Sequence, residues 1–181
     1  MCKVISFSGH ALAGKTASAE ILKELLEKDG FKVCLINYAD LLKFYAKQYF
    51  KWDGKKDYNG RTILQILGTE RVRHNEPNYW VDHVIGFYKL FEKDFDYFLI
   101  SDSRFINELE RWRDYKIGII KVLVERLNFD NGLTQEQKQH ASETALDNYK
   151  YFDWKIVSES GIDNLRKEVE LFYKTNWKAN E

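Results

Sequence analysis

Residues 9–16 read GHALAGKT, the phosphate-binding pattern G-x-x-x-x-G-K-[ST], placed between an apolar segment and a helical one. Two glycines allow such a backbone to curl so that successive N–H groups converge on phosphate oxygens. Lys15 can then reach the β and γ oxygens of a nucleotide, and the Thr16 hydroxyl can ligate Mg²⁺. The stretch therefore predicts nucleotide chemistry. The alternative is a glycine-rich turn that caps an ordinary helix.

Hydrophobic periodicity around this stretch predicts strands that alternate with helices. The predicted strands cover 4–7, 31–37, 95–101, 117–124 and 154–157, and the predicted helices cover 15–29, 39–50, 61–68, 77–93 and 162–173. Residues 51–60 are polar with two glycines and are predicted to form a loop. Alternating strands and helices require a parallel sheet covered on both faces. We therefore predict an α/β, three-layer P-loop fold with a five-stranded, mostly parallel sheet.

Length and composition exclude several other classes of protein. The chain has 181 residues with 44% hydrophobic content, which suits a single domain with one sizeable core. Lys+Arg and Asp+Glu are equal at 28 each, so we expect no nucleic acid polymer as partner. Cys2 and Cys34 fit a reducing compartment, and no signal peptide or apolar run of about 20 residues is present. We expect a cytoplasmic protein with no membrane partner.

Polar residues follow four of the predicted strands: Gly9, Asp40, the pair Asp102 and Arg104, and Arg126. Ligands of parallel sheets bind at the carboxyl ends of the strands, so these residues are predicted to face one crevice. Asp102 can hold a water of the Mg²⁺ shell, or it can cap the next helix. Asp40 is a general base if the acceptor is an alcohol. For a phosphate acceptor it would orient the acceptor or the metal shell, and it can equally be a helix N-cap.

The arginines indicate where anions bind, because planar guanidinium groups hold phosphate oxygens bidentately. Four of the eight are predicted at loop or strand edges around the crevice: Arg61, Arg73, Arg104 and Arg126. Three are predicted on solvated helix surfaces, Arg111, Arg113 and Arg166, and Arg71 is open between surface and site.

Other candidate residues have two interpretations each. Tyr79 and Trp80 can stack on a nucleobase or belong to the core. His10 and His140 are interpreted as hydrogen-bonding or structural residues rather than catalytic bases. The polar stretch 128–148 is a candidate mobile flap, and a capping-box pattern at Thr134 predicts a short helix within it.

Several blocks beyond the loop resemble the phage-type deoxynucleoside monophosphate kinases. The blocks are YADLLK at 38–43, RTILQILGTE at 61–70 with Arg73, YWV at 79–81, DSRF at 102–105 with Asn107 and Glu108, and HASE at 140–143. Their order and spacing span nearly the full chain. The resemblance implies an adenylate-kinase-like fold and transfer of the ATP γ-phosphate to a deoxynucleoside monophosphate, giving the diphosphate and ADP. It also implies Mg²⁺ dependence, often a homodimer, and the host cytoplasm if the chain is viral.

The resemblance also implies roles for individual residues. Arg61, Arg73 and Arg104 would bind the acceptor nucleotide, Gln65 its base or sugar, and Arg126 the transferring phosphoryl group from the lid side. The predicted donor-binding residues are Gly9, Ala11, Ala13, Gly14, Lys15, Thr16 and Ala17. The predicted substrate-binding residues are Asp40, Lys43, Arg61, Gln65, Arg73, Trp80, Arg104 and Glu143. The predicted catalytic residues are Lys15, Asp40, Arg104 and Arg126, and the predicted metal ligands are Thr16 and Asp102.

These predictions place one P-loop kinase domain over 1–181, with an acceptor-binding helical region at about 39–93 and a lid at about 126–148. Two alternatives remain. One is a P-loop kinase that acts on a small alcohol or on a different phosphorylated metabolite. The other is a non-catalytic nucleotide switch, which the absence of an Asn-Lys-x-Asp guanine-recognition pattern disfavours.

Overall fold

The computed structural model describes residues 2–55 and 57–178, and in them five strands form one sheet. The strands are β1 (Lys3–Ser8), β2 (Val33–Ile36), β3 (Tyr97–Ser103), β4 (Ile119–Arg126) and β5 (Trp154–Ser158). Their order is β2-β3-β1-β4-β5, and every neighbouring pair is parallel. The predicted fold class is confirmed, and the sheet is parallel throughout.

Helices cover both faces of this sheet. They are α1 (Lys15–Lys28), α2 (Ala39–Phe50), α3 (Tyr58–Gln65), α4 (Tyr79–Phe91), α5 (Ile106–Glu110), α6 (Gln135–Gln139), α7 (Ala141–Thr144) and α8 (Ile162–Tyr173). A π-helical segment, Ile66–Arg73, continues α3, a 3₁₀ turn, Arg111–Tyr115, continues α5, and a π-helical segment, Lys174–Lys178, continues α8.

Alternation along the strands divides the core into two layers. Leu99 of β3 lies with the apolar residues of α1 and α8 on one face. Its neighbours Phe98 and Ile100 lie on the other face with α4 and Trp112. A smaller cluster around Ala46, Trp52 and Leu67 holds α2 against the α3 segment.

Several element boundaries differ from the sequence prediction. The strand predicted at 31–37 is shorter, Val33–Ile36, and it is an edge strand in which only Val33 is buried. The predicted loop 51–60 ends early, since the Asp57 carboxylate caps α3 by accepting the Gly60 N–H at 2.8 Å. The helix expected from Pro77 begins at Tyr79.

The stretch 128–148 packs beside the carboxyl ends of the strands. The capping box at Thr134 is present, with reciprocal hydrogen bonds to Gln137 at 3.2 Å, and α6 follows it as predicted. Tyr149, just after the stretch, donates a close hydrogen bond to Glu110 and accepts one from Lys121 at 2.8 Å. In the described ranges, none of the helices is long and apolar enough to cross a bilayer.

Candidate active site

The glycine-rich loop joins β1 to α1 at the centre of the sheet. Gly9 and Gly14 have φ angles of 140° and 103°, a region that favours glycine. A Cβ on Gly9 would lie 2.2 Å from the Val124 carbonyl oxygen, so only glycine lets the loop approach β4 this closely. Gly14 is the N-cap of α1, with no side-chain cap. The N-terminus of α1, which is the positive end of its dipole, therefore points to the loop, a geometry that favours an anion there.

Lys15 and Thr16 lie in the first turn of α1. The buried Lys15 ammonium donates to the carbonyl oxygens of Gly9 and His10 at 2.7 and 2.6 Å, so it lies against the inner side of the loop. Thr16 is exposed, and its hydroxyl oxygen is 3.4 Å from that of Ser101 on β3.

A hydrogen-bonded chain runs from Thr16 to the start of α2. The Ser101 hydroxyl donates to Asn37 Oδ1 at 2.6 Å, and the Asn37 amide donates to Asp40 at 3.2 Å. Asp40 also accepts from Lys43 Nζ at 3.1 Å. Asp40 lies in the first turn of α2 and is not its N-cap. Sequence reasoning missed Asn37 and Ser101, although both are polar residues at strand ends, the signal that found Asp40.

Asp102 is positioned by α2. Its two carboxylate oxygens accept the backbone N–H groups of Tyr38 and Ala39 at 2.9 and 3.0 Å. This is the capping alternative, applied to α2 rather than to the helix after β3. Burial raises the pKa of Asp102, and the two backbone hydrogen bonds partly oppose this shift. Each oxygen keeps a further lone pair, so the predicted contact with a metal-bound water stays a prediction.

Glu108 entered the sequence analysis only as part of the resemblance, with no role of its own. One oxygen of its buried carboxylate accepts the N–H groups of Arg104 and Phe105 at 2.7 and 3.1 Å. The other pairs with the Arg73 guanidinium at 2.6 Å, which lies 3.7 Å from the centre of the Phe105 ring. Burial raises the pKa of Glu108, and the Arg73 charge acts in the opposite direction. Glu108 thus joins Arg73 to the backbone that carries Arg104.

The carboxylate of Glu143 lies between Arg104 and the glycine-rich loop. Arg104 forms a close ion pair with Glu143 of α7 and donates to the Ser142 carbonyl at 3.1 Å. The second Glu143 oxygen accepts the N–H of Ala11, in the loop, at 2.8 Å. A cleft of about 320 Å³ lies here, lined in part by Gly9, His10, Arg104 and Glu143. Two predicted anion-binding elements therefore meet at one point.

The remaining arginines differ in part from their predicted positions. Arg61 and Arg73 lie in α3 and its π-helical continuation, not at loop or strand edges, and Arg73 still reaches the site through Glu108. Arg126 ends β4, with its guanidinium 3.7 Å from the centre of the Phe129 ring and a hydrogen bond to Ser160. Gln65 ends α3. The predicted contacts of Arg61, Gln65 and Arg126 with nucleotides stay predictions.

The prediction that Trp80 stacks on substrate is wrong for this structure. Trp80 lies on α4, and its side chain is 2% exposed. It packs in the hydrophobic core of the protein and donates to the Gly68 carbonyl at 3.0 Å. Trp80 therefore has no face open to a base, and the core alternative holds. Tyr79 is partly exposed and hydrogen-bonds the Tyr45 hydroxyl at 3.0 Å.

The oxygen donors present suit a magnesium ion. Mg²⁺ prefers hard oxygen ligands and usually combines one or two protein groups with substrate phosphates. The hydroxyls of Thr16 and Ser101 and the carboxylate of Asp102 are donors of this kind. The part of the chain that the structure describes has no cluster of three or more His, Cys, Asp or Glu side chains arranged for a metal. Thr16 would thus hold the ion mainly together with nucleotide phosphates.

The parallel sheet and the glycine-rich loop after its central strand define a P-loop fold, and cationic side chains lie beside the loop. APS kinase CysC of Mycobacterium tuberculosis, solved in complex with AMPPNP and APS, has a similar fold, with a TM-score of 0.54 at 12% identity over 96% of this chain and 98% of that one. A mutant of the same enzyme gives a TM-score of 0.50 at 15% identity over 96% and 97%. At such identities the likeness concerns the fold alone.

The family is narrower than this class. The model of the deoxynucleotide monophosphate kinases matches residues 19–169, and this chain belongs to that family of phosphotransferases. The matched segment begins after the glycine-rich loop, so the loop is a separate observation that agrees with it. No curated protein matches the sequence.

Proposed function

We propose that this enzyme transfers the γ-phosphate of ATP in line to the phosphate of a deoxynucleoside monophosphate, at the crevice between the glycine-rich loop and Arg104. The carrying observation is that the Ala11 N–H and the Arg104 guanidinium converge on one carboxylate. A point where a loop amide and a guanidinium share an anion suits a phosphoryl group between donor and acceptor.

In this proposal the loop amides and Lys15 hold the donor phosphates. Thr16 and Asp102 would hold Mg²⁺, which would supply positive charge beside the donor phosphates. A phosphate monoester is already anionic near neutral pH, because its second pKa is about 6. Asp40 then has no proton to remove, and its contacts with Asn37 and Lys43 suit a positioning role in the acceptor region.

Arg73 and Arg104 are proposed to bind the acceptor phosphate and the transferring group. Glu108 pairs with the Arg73 side chain and accepts the Arg104 N–H, so it links Arg73, in the proposed acceptor region at 39–93, to the backbone that carries Arg104. Arg61 and Gln65 are proposed to contact the acceptor nucleoside, Arg126 the phosphoryl group from the lid side, and the lid at 126–148 to exclude water.

The test is ADP formation with ATP, Mg²⁺ and each deoxynucleoside or ribonucleoside monophosphate. We expect ADP to appear with one or more deoxynucleoside monophosphates and to fall to background without an acceptor. ADP formation only with a small alcohol or a different phosphorylated metabolite would favour the other kinase interpretation. Tight ATP binding without turnover would favour a switch.

Further features implied by the resemblance are proposed with it. They are a homodimer, a cytoplasmic location and the absence of a nucleic acid polymer among the partners. Sedimentation tests the first directly, since a dimer has twice the 21.5 kDa mass of the chain.

A further inference from the structure

Glu143 lies between two groups that the proposed reaction needs for phosphate. Its side chain is 9% exposed, and it lies on α7 in the 128–148 stretch, far in sequence from the loop it contacts. One oxygen accepts the Ala11 N–H at 2.8 Å, and the other pairs closely with Arg104. His10 adds weaker contacts to the same segment, at 3.9 Å to Glu143 and 3.4 Å to Asp147.

These contacts are those of an anionic ligand. A carboxylate and a phosphate both accept hydrogen bonds from loop amides and both form strong pairs with guanidinium. They cannot share the Ala11 N–H and Arg104 at once, because two anions at this separation repel each other. The sequence pattern placed Glu143 among substrate-binding residues, whereas its position next to a donor-binding amide makes it a competitor of phosphate.

We propose that Glu143 is an internal substitute for phosphate, which competes with the donor nucleotide for the glycine-rich loop and must be displaced when ATP binds. The inference rests on the proposed function, because it assumes that the loop and Arg104 receive phosphates. Displacement does two things together: it opens the Ala11 amide to ATP, and it releases Arg104 for the transferring group. Arg104 is therefore made available by donor binding.

Under competition, the apparent Kd for ATP equals the intrinsic Kd divided by the fraction of molecules in which Glu143 is already displaced. The smaller that fraction is, the weaker is the observed binding. Removing the negative charge of Glu143 should therefore tighten phosphate binding. Loss of a merely structural contact would weaken it, so the direction of the change separates the two roles.

The test compares E143Q with the unmodified protein by calorimetric titration with ATP and, separately, with inorganic tripolyphosphate. Tripolyphosphate has no base or sugar, so it reports on the phosphate site alone. We expect both probes to bind about tenfold more tightly to E143Q, the ratio for a difference of about 1.4 kcal/mol. Unchanged or weaker binding of tripolyphosphate would overturn the inference.

The matched control is E136Q, which makes the same charge change at an exposed position on α6 of the same stretch. Its affinity for tripolyphosphate should stay within about twofold of the unmodified protein, since exposed charges are screened. An equal gain in E136Q would mean that net charge explains the effect, and the inference would fail.

E143D is the second variant, for use if E143Q does not fold. It keeps the charge but is one methylene shorter, so it cannot span both the Ala11 amide and Arg104, and tighter binding is again expected. The same measurements distinguish failure of the competition from failure of the proposed function. If tripolyphosphate binds more tightly to E143Q but no nucleotide is phosphorylated, the competition stands and the proposed kinase reaction is rejected. Turnover with unchanged affinity would reject the competition alone.

Discussion

Single charged side chains account for most of the chemistry expected at this site. Lys15 lies against the carbonyl oxygens of its own loop, and Arg104 lies opposite, so positive charge faces the loop from two sides. Phosphoryl transfer depends mainly on positioning and on neutralising charge that is spread over oxygens. Losing one cation should therefore affect the rate far more than the fold.

For Lys15→Ala we expect kcat to fall by about 10²-fold or more, the range seen when one donor to a developing charge is removed. The circular dichroism spectrum should stay unchanged. ADP release in a coupled assay measures the rate, and Lys167→Ala, an exposed position on α8, is the matched control. A rate close to that of the unmodified enzyme would contradict the assignment of the loop.

Glu108→Gln tests whether the buried carboxylate joins Arg73 to Arg104. The substitution leaves the Arg73 guanidinium without its anion in a buried place, so the free energy of unfolding should fall by about 3 kcal/mol. Urea denaturation measures this loss, and Glu20→Gln, exposed on α1, should change stability by less than about 0.5 kcal/mol. Equal stability in the two variants would show that the link contributes nothing.

Helix starts decide where the acceptor region and α7 lie. Helix α3 begins where Asp57 caps it, and it can approach residue 55 only because position 60 has no side chain. Helix α7 is capped by His140, whose Nδ1 accepts the Ser142 N–H at 3.1 Å. Both starts depend on one residue each, and each can be tested.

A Cβ on Gly60 would lie 2.0 Å from the Lys55 carbonyl oxygen and 2.7 Å from Trp52 Nε1. Gly60→Ala should therefore lower the free energy of unfolding by about 2 kcal/mol, as overpacking does. Gly86 is exposed within α4, and a Cβ added there would meet nothing within 4 Å, so Gly86→Ala should raise stability by about 0.5–1 kcal/mol. Thermal unfolding compares the two, and shifts in the same direction would refute the packing argument.

His140 makes the start of α7 sensitive to pH. Burial lowers the pKa of His140 from its usual 6.5, against the opposing charges of Glu70 and Glu143. The unfolded chain therefore binds the proton first, so the stabilising contribution is complete above pH 6.5 and is lost as pH falls through the lowered value. His140→Asn keeps an N-cap acceptor without this titration.

We expect the stability of the unmodified protein relative to His140→Asn to fall as the pH drops below 6.5, because the unfolded chain takes up the proton first. Urea unfolding from pH 7.5 to 5.5 provides the measurement. A difference that is constant over this interval would mean that the cap does not depend on neutral His140.

The sheet order brings these parts together in one molecule. Because β1 lies between β3 and β4, its loop is flanked by Ser101, Asp102 and Arg104 on one side and by Val124 on the other. If the proposed donor and acceptor sites both lie at the carboxyl ends of these strands, a single molecule should be able to occupy both. Their closeness is a property of the topology, since the two sets of residues are distant in sequence.

A bisubstrate analogue that joins ATP to a deoxynucleoside monophosphate should therefore bind about 10²-fold more tightly than ATP alone, because the second contact becomes intramolecular. Competition with a fluorescent ATP analogue measures the ratio. An analogue that binds no better than ATP would place the two sites too far apart for direct transfer.

Local pattern alone was enough to predict the parallel α/β fold, the loop at 9–16 and the helix after Thr134, because glycine spacing, apolar periodicity and capping residues act over a few positions. The resemblance added the family. Tertiary structure decided the rest. Trp80 is core because α4 turns that face to the sheet, Asp102 caps α2 across 64 residues, and Glu143 reaches the Ala11 amide across 132. Such contacts depend on which strand ends become neighbours, and that is set by packing of the whole chain rather than by spacing along it.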